Sequence, residues 1–390
     1  MTGILRLVAV TLAIQILASM AVFTPPVLAP VASRDIGVEA ATVGVGTALI
    51  YLASSGSALL SGGFILRLGP MRVSQICLAL IGAGIGLMAA GTAAAAAAGT
   101  LLIGLGYGAV TPASSAILNQ RTPDRWRAFV FSLKQTGVPI GGAITGAIVP
   151  WLMAAFGWRA AALGVAIGCV ALLAAVQAGR EDVDRARQRD APLRGMRLRE
   201  PIRLLWSQRP LRDLALASFA YSGMQMCLGS YLVVYLHELA GLSVPAAGAA
   251  LSAAMAGGVL GRLFWGFAAD RFVSPRRLLG GLGVGMSVAA FSLGVIDAGT
   301  PLPLVAAAAF AFGGTAVGWN GVYISEVTRI APAGQAAAVT GVSFALTYLG
   351  VFVSPLVVWL AVTLGFSYGA GFAAVGLLTL WRGAVFFARR

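Results

Sequence analysis

Apolar residues in this chain run in blocks of about twenty, and twelve such blocks follow one another along its 390 residues. A helix rises 1.5 Å per residue, so a block of that size matches the ~30 Å hydrocarbon core of a bilayer. A segment in lipid must satisfy its own backbone N–H and C=O groups, and a single segment does so only as a helix. The blocks predict spans over residues 5–29, 41–66, 73–93, 97–118, 128–153 and 159–179. A second set follows at 212–236, 245–268, 277–297, 302–325, 336–363 and 368–388. The expected fold is an all-α membrane protein with twelve transmembrane helices. They form two pseudo-symmetric six-helix bundles, 1–179 and 211–390, joined by a linker over 180–210. Soluble domains are about 45–50% apolar and about 25% charged. This chain, at 59% hydrophobic and 10% charged, is excluded from soluble enzymes, disordered chains and disulfide scaffolds. The apolar run from Leu5 to Pro30 exceeds the 7–15 residues of a cleavable signal core.

The net charge is +14, and 26 of the 27 basic residues are Arg. They sit between apolar blocks, so topology explains them and nucleic acid does not. With the N-terminus inside, 23 basic residues fall on the inner side and only Arg34 and Arg159 on the outer. This asymmetry predicts cytoplasmic termini and a cytoplasmic linker, in a bacterial inner membrane. Cys77, Cys169 and Cys227 lie inside apolar blocks without metal spacing and read as small core residues. No cofactor is expected, and no Walker sequence marks an ATP site.

Internal repetition is visible. Pro70 and Pro275 are 205 residues apart, and Phe156-Gly157-Trp158 and Leu364-Gly365-Phe366 are 208 apart. Six helices, a linker and six helices again is a parallel-repeat arrangement of secondary transporters. The linker mixes signs and carries three prolines, with a short amphipathic helix near Ile202 to Trp206. Gly104-Leu105-Gly106-Tyr107-Gly108 imitates a dinucleotide loop but lies mid-block without a preceding strand, so it reads as helix packing.

Two cations fall inside spans. Lys134, the chain's only lysine, lies about 10 Å into the fifth, and Arg262 about 12 Å into the eighth. An ionisable group at the bilayer centre costs about 2.5–3.5 kcal/mol or more and needs a partner. All thirteen acids read as loop or helix-end residues, Asp213, Glu326 and Asp270 among them. An anionic substrate is then the simplest partner for both cations. Two alternatives stand beside it: Lys134 snorkels to the interface, and Arg262 joins Asp270 in a gate. Other polar residues fall mid-span: Gln15, Gln135, Tyr221, Gln225, Trp319, Asn320 and Tyr348. They line a substrate path or make interhelical hydrogen bonds. His237 and Glu238, at the outer end of the seventh span, read as a solvated interfacial pair.

The segment Gly266-Phe267-Ala268-Ala269-Asp270-Arg271, followed by Arg276 and Arg277, resembles the loop signature of the major facilitator superfamily. The first-half counterpart keeps Gly62 and Arg67 but has Leu66 where the family has Asp. The resemblance implies gating roles for Asp270, Arg271, Arg67 and Gly266, with the first-half charge missing. Gly106-Tyr107-Gly108 is similar to a further family motif, with Leu102 where proton-coupled drug exporters carry Arg. Gly137-Val138-Pro139-Ile140-Gly141-Gly142 is similar to the antiporter motif, and packing between the two halves is its plainer explanation. Arg262, four residues before Gly266, is similar to the eighth helix of monocarboxylate transporters and oxalate/formate exchangers, where such an Arg binds carboxylate. Resemblance also implies that the first, fourth, seventh and tenth helices line the cavity, favouring Gln15, Gln225 and Asn320.

The expected protein is thus a secondary active transporter of a small organic anion, such as a monocarboxylate, working by alternating access. Its substrate would meet Arg262 and Lys134, with a coupling proton, as in symport, or a counter-anion. The lipid bilayer is its surrounding, and a monomer is expected. Efflux of amphipathic drugs or metabolites is the alternative, which a mid-membrane acid would favour. A transporter-like sensor is a third reading. No nucleophile–base pair or metal cluster suggests an enzyme.

Overall fold

Alanine is the strongest helix former, and the run Ala93 to Ala98 falls entirely within one helix. In the computed structural model, Met88 ends one helix, Gly91 turns the chain at φ +74°, and the next helix opens at Ala93. Thr92 accepts the Ala95 amide at 3.2 Å and caps it. The boundary expected at 93–97 therefore lies a few residues earlier. The structure describes residues 2–119, 122, 130, 133–185, 187–188, 190, 199–293, 296–297, 299–332 and 336–388. The predicted start of the fifth span and much of the linker lie outside them.

The first set of helices is α1 (Thr2–Ile36), α2 (Val43–Leu68), α3 (Pro70–Met88), α4 (Ala93–Asn119), α5 (Gly137–Phe156) and α6 (Trp158–Ala175). A short helix, α7 (Arg199–Ser207), leads into the second set. That set is α8 (Arg209–Glu238), α9 (Val244–Arg271), α10 (Pro275–Leu293), α11 (Leu302–Ala316), α12 (Asn320–Ile330), α13 (Ala336–Thr363) and α14 (Tyr368–Ala388). No strand occurs among the described residues. Nine helical stretches among them are long and apolar enough to cross a membrane. Ala40–Ala58 and Leu60–Leu68, meeting at 56°, make a tenth if they form one span; α8 and α10 complete twelve.

Contacts divide the chain into two units. One holds Met1–Glu39 and Leu49–Met196, the other Ala40–Ala48 and Arg197–Arg390. The same pairings recur in both. The pair α1–α5 matches α8–α13, and α3–α6 matches α10–α14. The pair α2–α4, joined by Ser54 Oγ donating to the Gly104 carbonyl at 3.0 Å, matches α9–α11. Pro70 and Pro275 each open a helix. Gly157 and Gly365 hold φ of +84° and +85° in the turns before α6 and α14, a conformation that favours glycine. The repeats seen in sequence are repeats of structure.

The tenth span runs as expected, over Leu302–Val327, with one local interruption. Residues 302–325 are two helices, α11 and α12, separated by a turn at Val317–Trp319. Two of the antiporter-like glycines sit where helices pack. A Cβ at Gly137 would lie 2.9 Å from Gln15 Cβ, and one at Gly141 would lie 2.5 Å from the Ile16 carbonyl. Gly137 and Gly141 let α5 lie on α1 within the first unit.

Candidate substrate-binding residues

In the first unit, Lys134 lies in the helical residues 133–135 that lead into α5, within the apolar span Leu133–Phe156, and is 1% exposed. Its ammonium donates to Thr111 Oγ1 at 3.1 Å and to Gln135 Oε1 at 3.3 Å. Thr111 donates onward to Gln15 Oε1 at 3.3 Å, and Gln15 Nε2 donates to Ser19 Oγ at 3.4 Å. The chain runs from α5 through α4 to α1, and each donor points away from the cation. Three of the predicted residues, Lys134, Gln135 and Gln15, are thus brought together. Thr111 and Ser19 were not singled out in the sequence; a hydroxyl four residues along α1 from Gln15, and one beside Pro112, were the available signals. The snorkelling alternative fails, because the ammonium is enclosed. Among the described residues no carboxylate pairs with it.

In the second unit, Arg262 of α9 is half-buried. Its Nε donates to the Val317 carbonyl at 3.1 Å, and Trp265 Nε1 donates to the Gly314 carbonyl at 2.8 Å. The last carbonyls of a helix lack intrahelical partners. Two side chains one turn apart on α9 therefore cap the end of α11 at this turn, and a cation there also suits the helix dipole. Trp319 lies in the break. Its Nε1 donates to Gln225 Oε1 at 3.2 Å, and its ring meets Tyr221 edge-on at 5.8 Å and Tyr323 at 5.2 Å. Tyr221 spends its hydroxyl on the Leu279 carbonyl at 2.8 Å. Asn320 is half-buried at the first position of α12, and Tyr348 lies against Phe344 on α13.

Of the gating residues, Arg67 is exposed in the last turn of α2 and Gly266 lies within α9 with open space around it. Arg271 closes α9 over the Phe267 ring. Asp270 is helical, and its side chain lies outside the described part. A buried acid from elsewhere lies beside the turn that follows Leu66. Asp184, at the end of the short helix Arg180–Val183, is buried, and accepts the Met71 amide at 2.8 Å and the Arg72 amide at 3.1 Å, capping α3. Burial pushes its carboxyl up. The two amides, with Arg180 and Arg187, pull it down.

Two expectations about charge are corrected. Glu326 lies near a helix end as expected, at the end of the apolar stretch Leu302–Val327, yet it is fully buried and is held by Arg329 through bonds of 2.8 and 2.7 Å. Arg382, expected as a flanking charge, is buried and donates to the Asp213 carbonyl at 3.1 Å and its Oδ1 at 3.4 Å. Asp213 is buried with it, since leaving either ion alone in an apolar core is costly. His237 and Glu238 are not paired. His237 Nδ1 donates to the Leu242 carbonyl, and Glu238 accepts from the Tyr368 hydroxyl at 2.9 Å.

Residues 11–355 match the Major Facilitator Superfamily. The chain belongs to this family. It is a multi-pass membrane transporter rather than an enzyme. Solved structures share the fold along nearly the whole chain. A peptide transporter POT in complex with sulfate aligns with TM-score 0.79 at 16% identity, covering 98% of this chain and 94% of its own. A POT family transporter in complex with 5-aminolevulinic acid gives 0.77 at 14%, covering 98% and 96%. A point mutant of the nucleoside transporter NupG gives 0.76 at 15%, covering 97% and 98%. No match was found among curated protein sequences.

Proposed function

We propose that this protein is a secondary active transporter of a small organic anion, most simply a carboxylate, working by alternating access. The observation that carries the reading is Lys134. A buried ammonium is stable only with good compensation. The described chain offers this one two neutral oxygens and no carboxylate. A substrate anion would complete its shell. Gln135, Thr111 and Gln15 would then orient the anion or its hydrogen bonds. In the second unit we assign Arg262 to the substrate, beside its bond to the Val317 carbonyl. Trp319, Asn320, Gln225, Tyr221 and Tyr348 are the remaining candidate contacts. Coupling to a proton or counter-anion, cytoplasmic termini, an inner-membrane location and a monomeric state complete the proposal. The charge asymmetry supports the topology. Sulfate and 5-aminolevulinic acid, named with the POT neighbours, are rational first probes.

Glu326 favours a second reading. Proton-coupled efflux of amphipathic compounds needs a carboxylate inside a span, and this one is fully buried. Its charge, however, is already met by Arg329. Proteoliposome uptake decides between the two. Labelled small organic acids, their neutral amides and a lipophilic cation are offered with and without a pH gradient. Saturable uptake of an acid, lost in its amide, is expected. Transport of the lipophilic cation alone would replace the anion reading with the second.

A further inference from the structure

The helix α7 has three distinct faces. Leu205 is 0% exposed and packs on Ala215 of α8 and on Val342 and Leu346 of α13. Ile202 and Trp206, one turn apart, are 40% and 44% exposed. Arg203 is exposed on the next face round. One residue, Gln208, separates α7 from α8, a 30-residue helix that opens at the exposed Arg209. At 1.5 Å per residue α8 is about 45 Å long, more than the ~30 Å hydrocarbon core, so its first turns stand at the boundary. The helix α7 is fixed at the same level by Leu205.

The charge there is one-sided. Residues 199–212 carry four arginines against Glu200. The next acid, Asp213, is already held by Arg382. Two exposed apolar side chains are far too little for a protein partner, which needs about 1,200 Å² or more of buried surface. They are enough to enter the edge of an acyl layer, where Trp and Arg concentrate in membrane proteins. We propose that α7 and the first turn of α8 form a docking site for anionic phospholipid. The headgroup phosphates lie on Arg203 and Arg209, and Ile202 and Trp206 lie in the acyl boundary. The site is independent of the substrate and of the reading of Lys134.

Each basic residue near an anionic surface contributes enough that removing two weakens binding about thirtyfold. Phosphatidylglycerol and phosphatidylcholine are titrated into the purified full-length protein and followed by native mass spectrometry. Phosphatidylglycerol should be retained preferentially, and Arg203→Gln/Arg209→Gln should abolish the preference by about that factor. A nitroxide at position 206, placed through Trp206→Cys, then reports depth in nanodiscs; Cys77, Cys169 and Cys227 are buried. With phosphatidylglycerol present the label should be open to oxygen and shielded from a nickel chelate. Equal retention of both lipids, or a label open to nickel in every composition, would overturn the proposal. So would oxidative cross-linking of two chains through position 206, which would place a second copy on this face.

Discussion

The two units treat their buried cations differently. In the second, Arg382 meets Asp213, and Glu326 is met by Arg329. Arg262 there donates to the Val317 carbonyl in the turn between α11 and α12. In the first, Lys134 meets a threonine and a glutamine. The chain supplies counter-charge to Arg382 and Arg329, but to its one lysine, among the described residues, it supplies only neutral oxygens. A guanidinium with a built-in partner is explained by folding. A buried ammonium without one is explained by what arrives later.

The comparison breaks most readily at Asp213. Removing one member of a buried pair strands the other and costs about 3–5 kcal/mol. Asp213→Ala should therefore lower the thermal unfolding midpoint in detergent more than any other change considered. Asp213→Leu/Arg382→Leu should recover much of that loss, because a well-packed apolar replacement is often neutral. Unchanged melting in the single variant would remove the pair from the structural side of the contrast.

Lys134→Gln should do the opposite. Nothing in the described fold depends on its charge, so melting should hold or rise. Charge-assisted hydrogen bonds contribute about 1.5–3 kcal/mol, so anion affinity should fall tenfold to a hundredfold or more. Binding titrations of acid and amide against both proteins check this. Equal affinity for the acid in the variant would place Lys134 with the structural cations.

The contrast between units was only half legible in the sequence. Periodic apolar blocks and paired prolines revealed twelve helices and their repetition, because both are local signals. Lys134 stood out because a lone lysine inside an apolar block is conspicuous. The partners of the other charges were not legible. Asp184 caps an amide 113 residues away, and Arg382 reaches a residue 169 away. Only folding brings such groups together. The break before Trp319 left a trace in Gly313, Gly314 and Gly318, yet hydropathy reads through glycine without interruption. Arg262 has a structural duty, and Lys134 is enclosed where exposure had been an alternative.

Arg262→Gln should accordingly weaken anion binding less than Lys134→Gln, by about tenfold. It should also loosen the end of α11, because a cap of this kind contributes a few tenths to about 2 kcal/mol. Arg262→Lys keeps the charge but loses the planar fork, and should restore only part of the binding. Hydrogen exchange at the amides of residues 317–321 measures the loosening. An Arg262→Gln protein with normal exchange and no affinity for acids would make Arg262 the principal anion site and erase the difference between units.

The smallest expected effect separates the two ends of the α2–α3 turn. If Asp184 supplies the charge that Leu66 lacks, Asp184→Ala should destabilise the first unit by about 1 kcal/mol, the usual worth of a helix cap. The amides of Met71 and Arg72 would lose their acceptor, and Gly69 beside them would lose its neighbour. Leu66→Asn should change nothing measurable, since Leu66 is exposed and its carbonyl, which takes the Gln188 amide at 2.8 Å, is untouched. Asp184→Asn should fall between them, keeping one acceptor oxygen while losing the charge that suits a helix N-terminus. Thermal unfolding of the three variants in one detergent orders them. Equal loss at positions 66 and 184 would mean that the turn responds to any change, and that Asp184 is no substitute for the missing acid.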